Sequence, residues 1–533
     1  MQLKKRFFAV AVACAVTAVP ALAASKTLIY CSEGSPAGFD PARYTAGTDF
    51  DASAETVFNR LVEFERGSTQ VRPGLAEKWE TSTDNLTWTF FLRKGVKFHT
   101  TEYFKPTRTF NADDVVFTFQ RFINKDLPFN KAAPTEFPYA SDMEMDTNIA
   151  SIEKKDDSTV VFKLKKVDAA FVQNLAMSFA SIHSAEYADK LLKEGKANQL
   201  NTQPIGTGPF IFKSYQKDAS IRYDGNKEYW KKGDVLLDKL IFAITTDASV
   251  RTQKLQKGEC HLMPFPRPAD IAGMKADPKL AVMSQAGFNL GYLAYNVKHK
   301  PMDQLEVRQA LDLAINKKAI IDAVYQGAGQ AATNPMPPTQ WSYNKTLKDA
   351  GFNPEKAKEL LKKAGHANGF EITLWAMPVQ RPYNPNAKLM AELIQADWAK
   401  IGVKAKITTY EWGEYLKRAK AGEPDSVLVG WTGDNGDPDN WLGVNLGCSA
   451  VGGGNNYAQW CNKEFDDLIV KARTLTNQQE RTRLYEKAQV VFKREVPWTT
   501  IAHSTTNVPM RKEVQGFKVS PFGLYSFYGV SIK

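Results

Sequence analysis

The sequence lacks the local motifs that mark common catalytic centres. It has no H-E-x-x-H zinc motif, no G-x-S-x-G nucleophile elbow and no phosphate-binding Walker loop. Histidine is scarce, and the six residues do not have the spacing of metal ligands. They are His99, His183, His261, His299, His366 and His503. These absences predict that the protein is not an enzyme, although histidines distant in sequence can still converge on a metal ion or a haem.

Long hydrophobic runs and clusters of like charge are also missing from most of the chain. After residue 23, no stretch approaches the ~18 consecutive apolar residues that a membrane-spanning helix needs. Basic residues are interspersed with acidic ones and do not form the stripe of a nucleic-acid-binding protein. The sequence therefore predicts a soluble, mildly basic protein that does not bind nucleic acid.

The N-terminus carries the layout of an export signal. Three basic residues at positions 4–6 precede an apolar stretch at residues 7–20, and the small-x-small triplet Ala-Leu-Ala follows at residues 21–23. This order is typical of a secretory signal peptide. Lipid attachment at Cys14 is a weaker alternative, because the residues before it lack the usual leucine. We expect cleavage after Ala23, and the loss of three basic residues then changes the net charge from +11 to +8.

Four cysteines remain after cleavage, and an even number in an exported protein indicates two disulfide bonds. Three pairings are possible in principle. Cys448 and Cys461 are close in sequence within a Gly/Asn-rich stretch, so we expect them to close a small ring. That pairing leaves Cys31 for Cys260. A zinc site is the alternative, but it lacks C-x-x-C spacing and a nearby histidine.

The length of the mature chain predicts several folded units. At ~100–200 residues per domain, residues 24–533 should form about two to four cores. Alternate residues from 160 to 164 are apolar, as in a half-buried strand. Asn353 and Pro354 have the chemistry of a helix start, and Gly365 ends that helix. The pattern alternates strands and helices along the chain.

The most informative stretch predicts a β-α-β unit followed by a third strand. We expect strands at residues 370–376, 403–409 and 426–431, and a helix at residues 387–401. Apolar residues recur on one face of this helix, and Gly402 follows it as a stop. Because a strand–helix–strand unit usually joins parallel strands, the first two strands should be parallel.

Two charged residues, Arg381 and Asp434, lie just beyond strand ends. Ligands of open α/β sheets bind at the carboxyl ends of the strands, so this position favours a binding role. A solvated arginine is the simpler interpretation of Arg381, which lies in a Pro/Asn-rich loop at residues 377–386. A calcium loop starting at Asp434 needs glycine at its sixth position, where Asp439 stands. Capping of backbone N–H groups in a turn is a sufficient explanation for Asp437 and Asp439.

Motifs along residues 24–533 resemble one family of binding proteins. The matching segments are residues 75–79 (LAEKW), 86–92 (LTWTFFL), 93–99 (RKGVKFH), 111–115 (NADDV), 206–210 (GTGPF) and 307–311 (VRQAL). They resemble the peptide/nickel/oligopeptide class of periplasmic solute-binding proteins, family 5. Three longer segments resemble the dipeptide-binding members of that family, which serve ABC importers. These are residues 30–36 (YCSEGSP), 375–386 (WAMPVQRPYNPN) and 431–440 (WTGDNGDPDN).

The resemblance implies an α/β, two-lobed periplasmic binding protein fold, the Venus-flytrap arrangement, with an extra inserted domain and a hinge between the lobes. The expected domains are a discontinuous domain I at residues 24–60, 209–286 and 505–533, an inserted domain II at residues 61–208, and domain III at residues 287–504. The family's disulfides match Cys31–Cys260 within domain I and Cys448–Cys461 within domain III, which agrees with the pairing expected above.

The resemblance also assigns residues to the two charged ends of a peptide. Asp434 matches the carboxylate that binds the α-ammonium group, and Arg381 matches the guanidinium that binds the C-terminal carboxylate. Further ligand contacts are expected from Trp431, Thr432, Gly433 and Tyr383, and on the facing lobe from Thr45, Ala46 and Gly47. Every dipeptide carries both terminal charges, so this pair would bind what all dipeptides share. No catalytic residue, metal ligand or cofactor is expected.

The implied function is capture of dipeptides, and of some tripeptides, in the periplasm. The expected partners are the permease subunits of an inner-membrane ABC importer and, in addition, a chemoreceptor, with the receptor itself monomeric. Receptors of the same fold for haem, a metal chelate or an opine-like ligand are alternatives. An exported peptidase is the alternative from another class, but the sequence offers it no nucleophile or metal site.

Overall fold

The computed structural model describes residues 26–452 and 454–533, and the predicted signal peptide at residues 1–23 lies outside them. The strands are β1 (Thr27–Tyr30), β2 (Val62–Phe64), β3 (Val71–Pro73), β4 (Ala76–Thr81), β5 (Thr87–Leu92), β6 (Ile149–Asp156), β7 (Thr159–Leu164), β8 (Phe210–Gln216), β9 (Ser220–Gly225), β10 (Lys239–Ala243), β11 (Leu280–Ala286), β12 (Asn289–Tyr295), β13 (Gly329–Ala331), β14 (Phe370–Trp375), β15 (Val403–Thr408), β16 (Ser426–Thr432), β17 (Trp498–Arg511), β18 (Val514–Gln515) and β19 (Ser531–Ile532).

The α-helices are α1 (Gly47–Ala52), α2 (Ala112–Ile123), α3 (Pro128–Ala132), α4 (Pro138–Asp142), α5 (Met145–Asn148), α6 (Phe171–Leu175), α7 (Ala185–Lys193), α8 (Ala248–Lys257), α9 (Ile271–Ala276), α10 (Leu305–Leu313), α11 (Lys317–Ile320), α12 (Pro354–Lys363), α13 (Ala387–Ala399), α14 (Trp412–Lys420), α15 (Asp439–Leu446), α16 (Lys463–Arg473) and α17 (Gln478–Glu495). In the described part of the chain, every helix is too short or too polar to cross a bilayer.

Three sheets organise the molecule. One has the strand order β1-β10-β9-β8, a second has the order β4-β5-β7-β6, and the largest has the order β11-β17-β12-β16-β14-β15, with β13 on β17. The long strand β17 pairs with β12 through residues 498–502 and with β11 through residues 505–511. This change of partner lies at the predicted boundaries of domain III. We call residues 287–504 the second lobe and the other described residues the first lobe.

The predicted β-α-β unit is confirmed with each end within two residues. It comprises β14, α13 and β15, and β14 pairs in parallel with both β15 and β16. The Asn386 side chain caps α13 by accepting a hydrogen bond from the backbone N–H of Leu389 at 3.1 Å. Trp398 on the helix is fully buried. The carboxyl ends of β14 and β16 therefore lie at the same edge of the large sheet.

Two other local predictions and the predicted disulfide pairing are also confirmed. Alternate residues of β7 are buried from Val160 to Leu164, whereas Lys163 is exposed. Helix α12 begins at Pro354, with the Asn353 side chain accepting a hydrogen bond from Lys356, and it ends just before Gly365. Both disulfide bonds connect the expected cysteines.

The apolar cores follow the sheets. One cluster joins three separate chain segments, represented by Leu28, Phe210 and Val508. A second cluster lies in residues 42–205 together with Val444, and includes the sheet of β4 to β7. Two more clusters cover opposite faces of the large sheet, because neighbouring residues of β12 belong to different ones.

Candidate functional site

Strand β16 continues directly into the loop that carries Asp434. Thr432 still pairs with Asn289 of β12, and the backbone N–H of Gly433 donates to the carbonyl oxygen of Phe288 at 2.9 Å. A Cβ atom on Gly433 would lie 2.3 Å from the Phe288 ring. A side chain at this position therefore does not fit, and Asp434 leaves the sheet at a fixed point.

Two hydrogen bonds orient the carboxylate of Asp434. The Tyr139 hydroxyl donates to Oδ1 at 2.9 Å, and the Asn440 amide donates to Oδ2 at 3.2 Å. Asn440 also accepts from the backbone N–H of Asp434 at 2.9 Å and from the indole N–H of Trp431 at 3.1 Å. Tyr139 belongs to the first lobe and the other three residues belong to the second. The two lobes thus meet at Asp434.

No cation neutralises Asp434 within the described residues, because it forms no ion pair there. Its side chain is half-buried. Loss of contact with water raises the pKa of Asp434 to about 7, and the hydrogen bonds from Tyr139 and Asn440 oppose this increase. A positive group placed beside the carboxylate would favour its ionised form. The site is therefore electrostatically suited to bind an ammonium group.

Arg381 lies in a tight turn after β14. Its backbone N–H donates to the carbonyl oxygen of Asn384 at 3.1 Å, and the reverse bond is 3.0 Å. The guanidinium lies 4.6 Å from the ring centre of Trp412, with which it makes a cation–π contact. In residues 26–452 and 454–533, its side chain makes no hydrogen bond or ion pair. Its N–H groups are free to bind an anion.

Tyr383 connects the turn of Arg381 to β16. Its ring packs on Gly430 of β16, where a Cβ atom would lie 2.2 Å from the ring. Its carbonyl oxygen accepts a hydrogen bond from the Tyr325 hydroxyl at 2.7 Å. Burial raises the pKa of Tyr383 to about 12, and the charge of Arg381 opposes this increase. The hydroxyl is therefore neutral at physiological pH.

Asp434 and Arg381 line different cavities. Asp434 borders an open pocket, together with Phe50, Tyr139 and Met177 of the first lobe. Arg381 borders a second open pocket, together with residues that include Phe265 of the first lobe. A ligand that pairs with both charges must lie along the sheet edge between these cavities.

Thr45, Ala46 and Gly47 lie at the start of α1 and are exposed. The backbone of Ala46 is extended, with φ −96° and ψ 141°. Within the described residues, these three make no hydrogen bond to Asp434 or Arg381. The Phe50 ring, on the same helix, lies 6.0 Å from that of Tyr139. Phe50 and Tyr139 thus connect α1 to Asp434.

A model of bacterial extracellular solute-binding proteins, family 5 Middle, matches residues 70–453. The chain belongs to this family. The family 5 chain is 68% identical over 517 residues to Di/tripeptide-binding protein 1 of Pseudomonas aeruginosa (strain UCBPP-PA14), covering 97% of this chain and 96% of that protein. It is 51% identical over 508 residues to Heme-binding protein A of Haemophilus influenzae (strain ATCC 51907 / DSM 11121 / KW20 / Rd), covering 95% and 92%.

A solved structure shows that the fold is also that of a binding protein of this kind. The dipeptide binding protein from Pseudoalteromonas sp. SM9913, in complex with Met-Leu, matches with a TM-score of 0.88 and 38% identity. The match covers 95% of the family 5 chain and 100% of that protein. The predicted membership of family 5 and the predicted two-lobed α/β fold of periplasmic binding proteins are therefore confirmed.

Three of the six histidines of this family 5 protein are buried and serve in packing. The His99 ring forms a hydrogen bond with the carbonyl oxygen of Gly208, and the His503 ring forms one with the carbonyl oxygen of Asn289. The His183 ring forms a hydrogen bond with the carboxylate of Asp40. Among the residues that the structure describes, no group of three His, Cys, Asp or Glu side chains is arranged to hold a metal ion.

Turn capping alone does not explain Asp437 and Asp439, so that interpretation is incomplete. Asp437 does accept a hydrogen bond from the backbone N–H of Asp439 at 3.0 Å. However, Asp437 also forms a buried ion pair with Arg481 at 2.8 Å, and Asp439 forms a partly buried ion pair with Arg473 at 3.0 Å. The two arginines lie on α17 and α16, distant in sequence, so the local pattern does not reveal them.

Three residues that shape the site were not predicted from the sequence. Asn440 holds the loop of Asp434, Tyr139 donates to its carboxylate, and Trp412 stacks on Arg381. Asn440 lies in the matched segment at residues 431–440, which also contains Asp434, so the sequence could have indicated its role beside that residue. Tyr139 is 295 residues away from Asp434 along the chain, and no local motif marks it.

Proposed function

We propose that this family 5 protein captures dipeptides, and some tripeptides, and delivers them to an ABC importer of the inner membrane. The observation that carries this proposal is a pair of opposite charges, Asp434 and Arg381, neither of which forms an ion pair within the described residues, beyond the carboxyl ends of the paired strands β14 and β16. A dipeptide has the complementary charges at its two ends. The protein is a receptor and catalyses no reaction on its ligand.

The ammonium end is proposed to bind Asp434. Tyr139 and Asn440 each occupy one acceptor direction of the carboxylate, and an ionised carboxylate has about four such directions. The remaining directions can accept N–H groups of the ammonium. Partial burial strengthens this attraction, because charges interact more strongly away from water. The two existing hydrogen bonds also keep the carboxylate in one orientation before the ligand arrives.

The carboxylate end is proposed to bind Arg381. Trp412 covers one face of the guanidinium and leaves its N–H groups, which point outward in the plane, available. A guanidinium can donate two parallel hydrogen bonds to one carboxylate. Each additional residue extends a peptide by at most ~3.3–3.6 Å, so two fixed charges discriminate by length. A third residue then requires the peptide to bend or the pocket to adjust.

Other residues are proposed to contact the peptide backbone, which all dipeptides share, or to leave room for the peptide's side chains. Trp431, Thr432, Gly433 and Tyr383 adjoin the two charges on the second lobe. The exposed backbone at residues 45–47 is proposed to pair with the peptide backbone from the first lobe. The pocket beside Asp434, which Phe50, Tyr139 and Met177 also line, is proposed to receive side chains of the peptide.

We further propose that β17 is part of the hinge between domain III and domain I, with the domain boundaries given by the sequence analysis. In support, β17 is continuous through both lobes and changes its partner strand between residues 502 and 505. Closure around a ligand gives the importer a shape that distinguishes loaded receptor. The mature protein is proposed to begin after Ala23, in the periplasm, and to act as a monomer with a chemoreceptor as a second partner.

A haem receptor is the second candidate, and the favouring observation is the Haemophilus influenzae relative named Heme-binding protein A. Histidine commonly ligates haem iron. Among the described residues, the lining of the cavity beside Asp434 contains no histidine. The dipeptide proposal therefore has the stronger support.

Calorimetric titration with Met-Leu and its blocked forms tests the proposal. N-acetyl-Met-Leu lacks the ammonium group, and Met-Leu amide lacks the carboxylate. Each blocked form leaves one protein charge without its partner, so we expect a loss of about two to three decades in affinity. Equal binding of all three forms, or binding of haem alone, would contradict the proposal. The solution after titration should contain no free methionine or leucine, whereas a peptidase would release both.

A further inference from the structure

A line of polar contacts joins the lobes beside the Asp434 site. Asn435 donates to the side-chain oxygen of Asn174 at 2.6 Å, and both residues are buried. Arg473 binds Glu144 at 2.8 Å, and the backbone oxygen of Arg473 accepts from the N–H of Ala169 at 2.9 Å. Glu144, Ala169 and Asn174 belong to the first lobe. We call these three contacts the interlobe seam.

Arg473 holds both sides of the seam at once. Its Nη1 atom bonds to Glu144 of the first lobe, and its Nη2 atom bonds to Asp439 of the second lobe at 3.0 Å. The Arg473 side chain is 17% exposed and that of Asp439 is 14% exposed, so water screens this pair weakly. Gly443 leaves the space that the guanidinium occupies, since a Cβ atom there would lie 2.7 Å from Nη2.

The seam and the proposed ammonium site share one loop. Asp434 is followed by Asn435, which donates a hydrogen bond to Asn174 of the first lobe. Asp439, five residues after Asp434, forms the ion pair with Arg473. Asp437, between them, is fixed by its buried pair with Arg481. A movement of the first lobe away from Arg473 would therefore remove restraints from the loop that positions the Asp434 carboxylate.

We propose that Arg473 is a positioning residue for peptide binding, which couples closure of the lobes to the orientation of the Asp434 loop. This inference rests on the proposed function of Asp434. Glu144 is its partner across the seam, and neither side chain contacts the peptide. In the ligand-free protein the seam raises the population of the closed form, so loss of the seam lowers the apparent affinity by the same factor.

A double-mutant cycle with Glu144→Gln and Arg473→Gln measures this coupling. We expect each variant to bind Met-Leu roughly threefold to tenfold more weakly, and the double variant to be no weaker than Arg473→Gln alone. Most of the change should appear as faster dissociation, because an open seam releases the ligand. Glu144→Gln leaves the bond between Arg473 and Asp439 in place, so the second lobe keeps its internal ion pair.

The matched control is the pair Glu464–Arg494, which joins α16 to α17 at 2.7 Å within the second lobe. Glu464→Gln and Arg494→Gln remove the same chemistry from the same helical hairpin and should leave Met-Leu binding unchanged. Wild-type affinity in both Glu144→Gln and Arg473→Gln would overturn the inference.

Small-angle X-ray scattering of the ligand-free proteins keeps this inference separate from the proposed function. We expect Glu144→Gln to increase the radius of gyration relative to the wild type, and Glu464→Gln to leave it unchanged. If wild-type protein fails to bind Met-Leu, the proposed function fails. Scattering alone then tests whether the seam holds the two lobes together. Superimposable scattering curves of wild type and both seam variants would then overturn it.

Discussion

Acidification should weaken dipeptide binding through Asp434. The pKa of its carboxyl group is raised to about 7 by burial, so a proton occupies the site in half of the ligand-free molecules near neutral pH. A bound ammonium group favours the ionised carboxylate, so the complex has a lower pKa at this residue. The contribution of the Asp434 carboxylate to dipeptide affinity is therefore present above pH 7 and is lost as the pH falls below 7.

The size of the effect follows from the ionised fraction. With a pKa of about 7, roughly half of the carboxyl groups are ionised at pH 7 and roughly one in thirty at pH 5.5. The dissociation constant of Met-Leu should therefore rise about fifteenfold, which corresponds to about 1.6 kcal/mol. The peptide's own groups contribute little in this window, because its amino group titrates at ~7.7–8.0 and its carboxyl group at ~3.3–3.7.

Isothermal titration calorimetry at pH 7 and pH 5.5 measures this change. At pH 5.5, binding should also release close to one proton, which buffers of different ionisation enthalpy reveal. Asp142 and Tyr139 face the same carboxyl group, but Asp434→Asn removes its titration alone and should abolish the pH dependence. Constant affinity of the wild type over this range would refute the reasoning.

Three further predictions follow from the contacts of the site and the disulfides. Arg381→Lys keeps the charge but loses paired hydrogen bonds and stacking, so calorimetry should give at least tenfold weaker Met-Leu binding; unchanged affinity would exclude paired bonding. Gly430→Ala forces the Tyr383 ring away from β16, which should weaken binding and destabilise the fold by about 1–3 kcal/mol in thermal unfolding, whereas wild-type values in both would contradict this packing. Replacing Cys448 and Cys461 by serine opens a ring with a sequence separation of 13, which should reduce the free energy of unfolding by about 3 kcal/mol; an unchanged melting temperature would argue against that contribution.

Local elements of the fold were predictable because their signals are local. The apolar face of the predicted helix and the stop at Gly402 located β14, α13 and β15 to within two residues. The positions of Arg381 and Asp434 follow from the same unit, because residues after parallel strands reach one sheet edge. Their pairing with peptide charges came from the family resemblance and not from this pattern.

Contacts between distant segments were not predictable from one sequence. Tyr139 reaches Asp434 across 295 residues, and Glu144 reaches Arg473 across 329. Neither pair has a periodic pattern, since each depends on how two lobes meet. The interpretation of Asp437 was incomplete for the same reason. Its turn is recognisable from neighbouring residues, whereas its buried partner Arg481 lies on a helix that is distant in sequence.

The most direct test of the central claim is to identify the ligand that the protein carries. Freshly purified protein would be denatured, and the released small molecules would be analysed by mass spectrometry. The proposed pairing of Asp434 and Arg381 with peptide termini predicts a mixture of dipeptides with varied side chains, absent from a sample of the Asp434→Ala variant. Recovery of haem or a metal chelate alone, without peptides, would contradict the account.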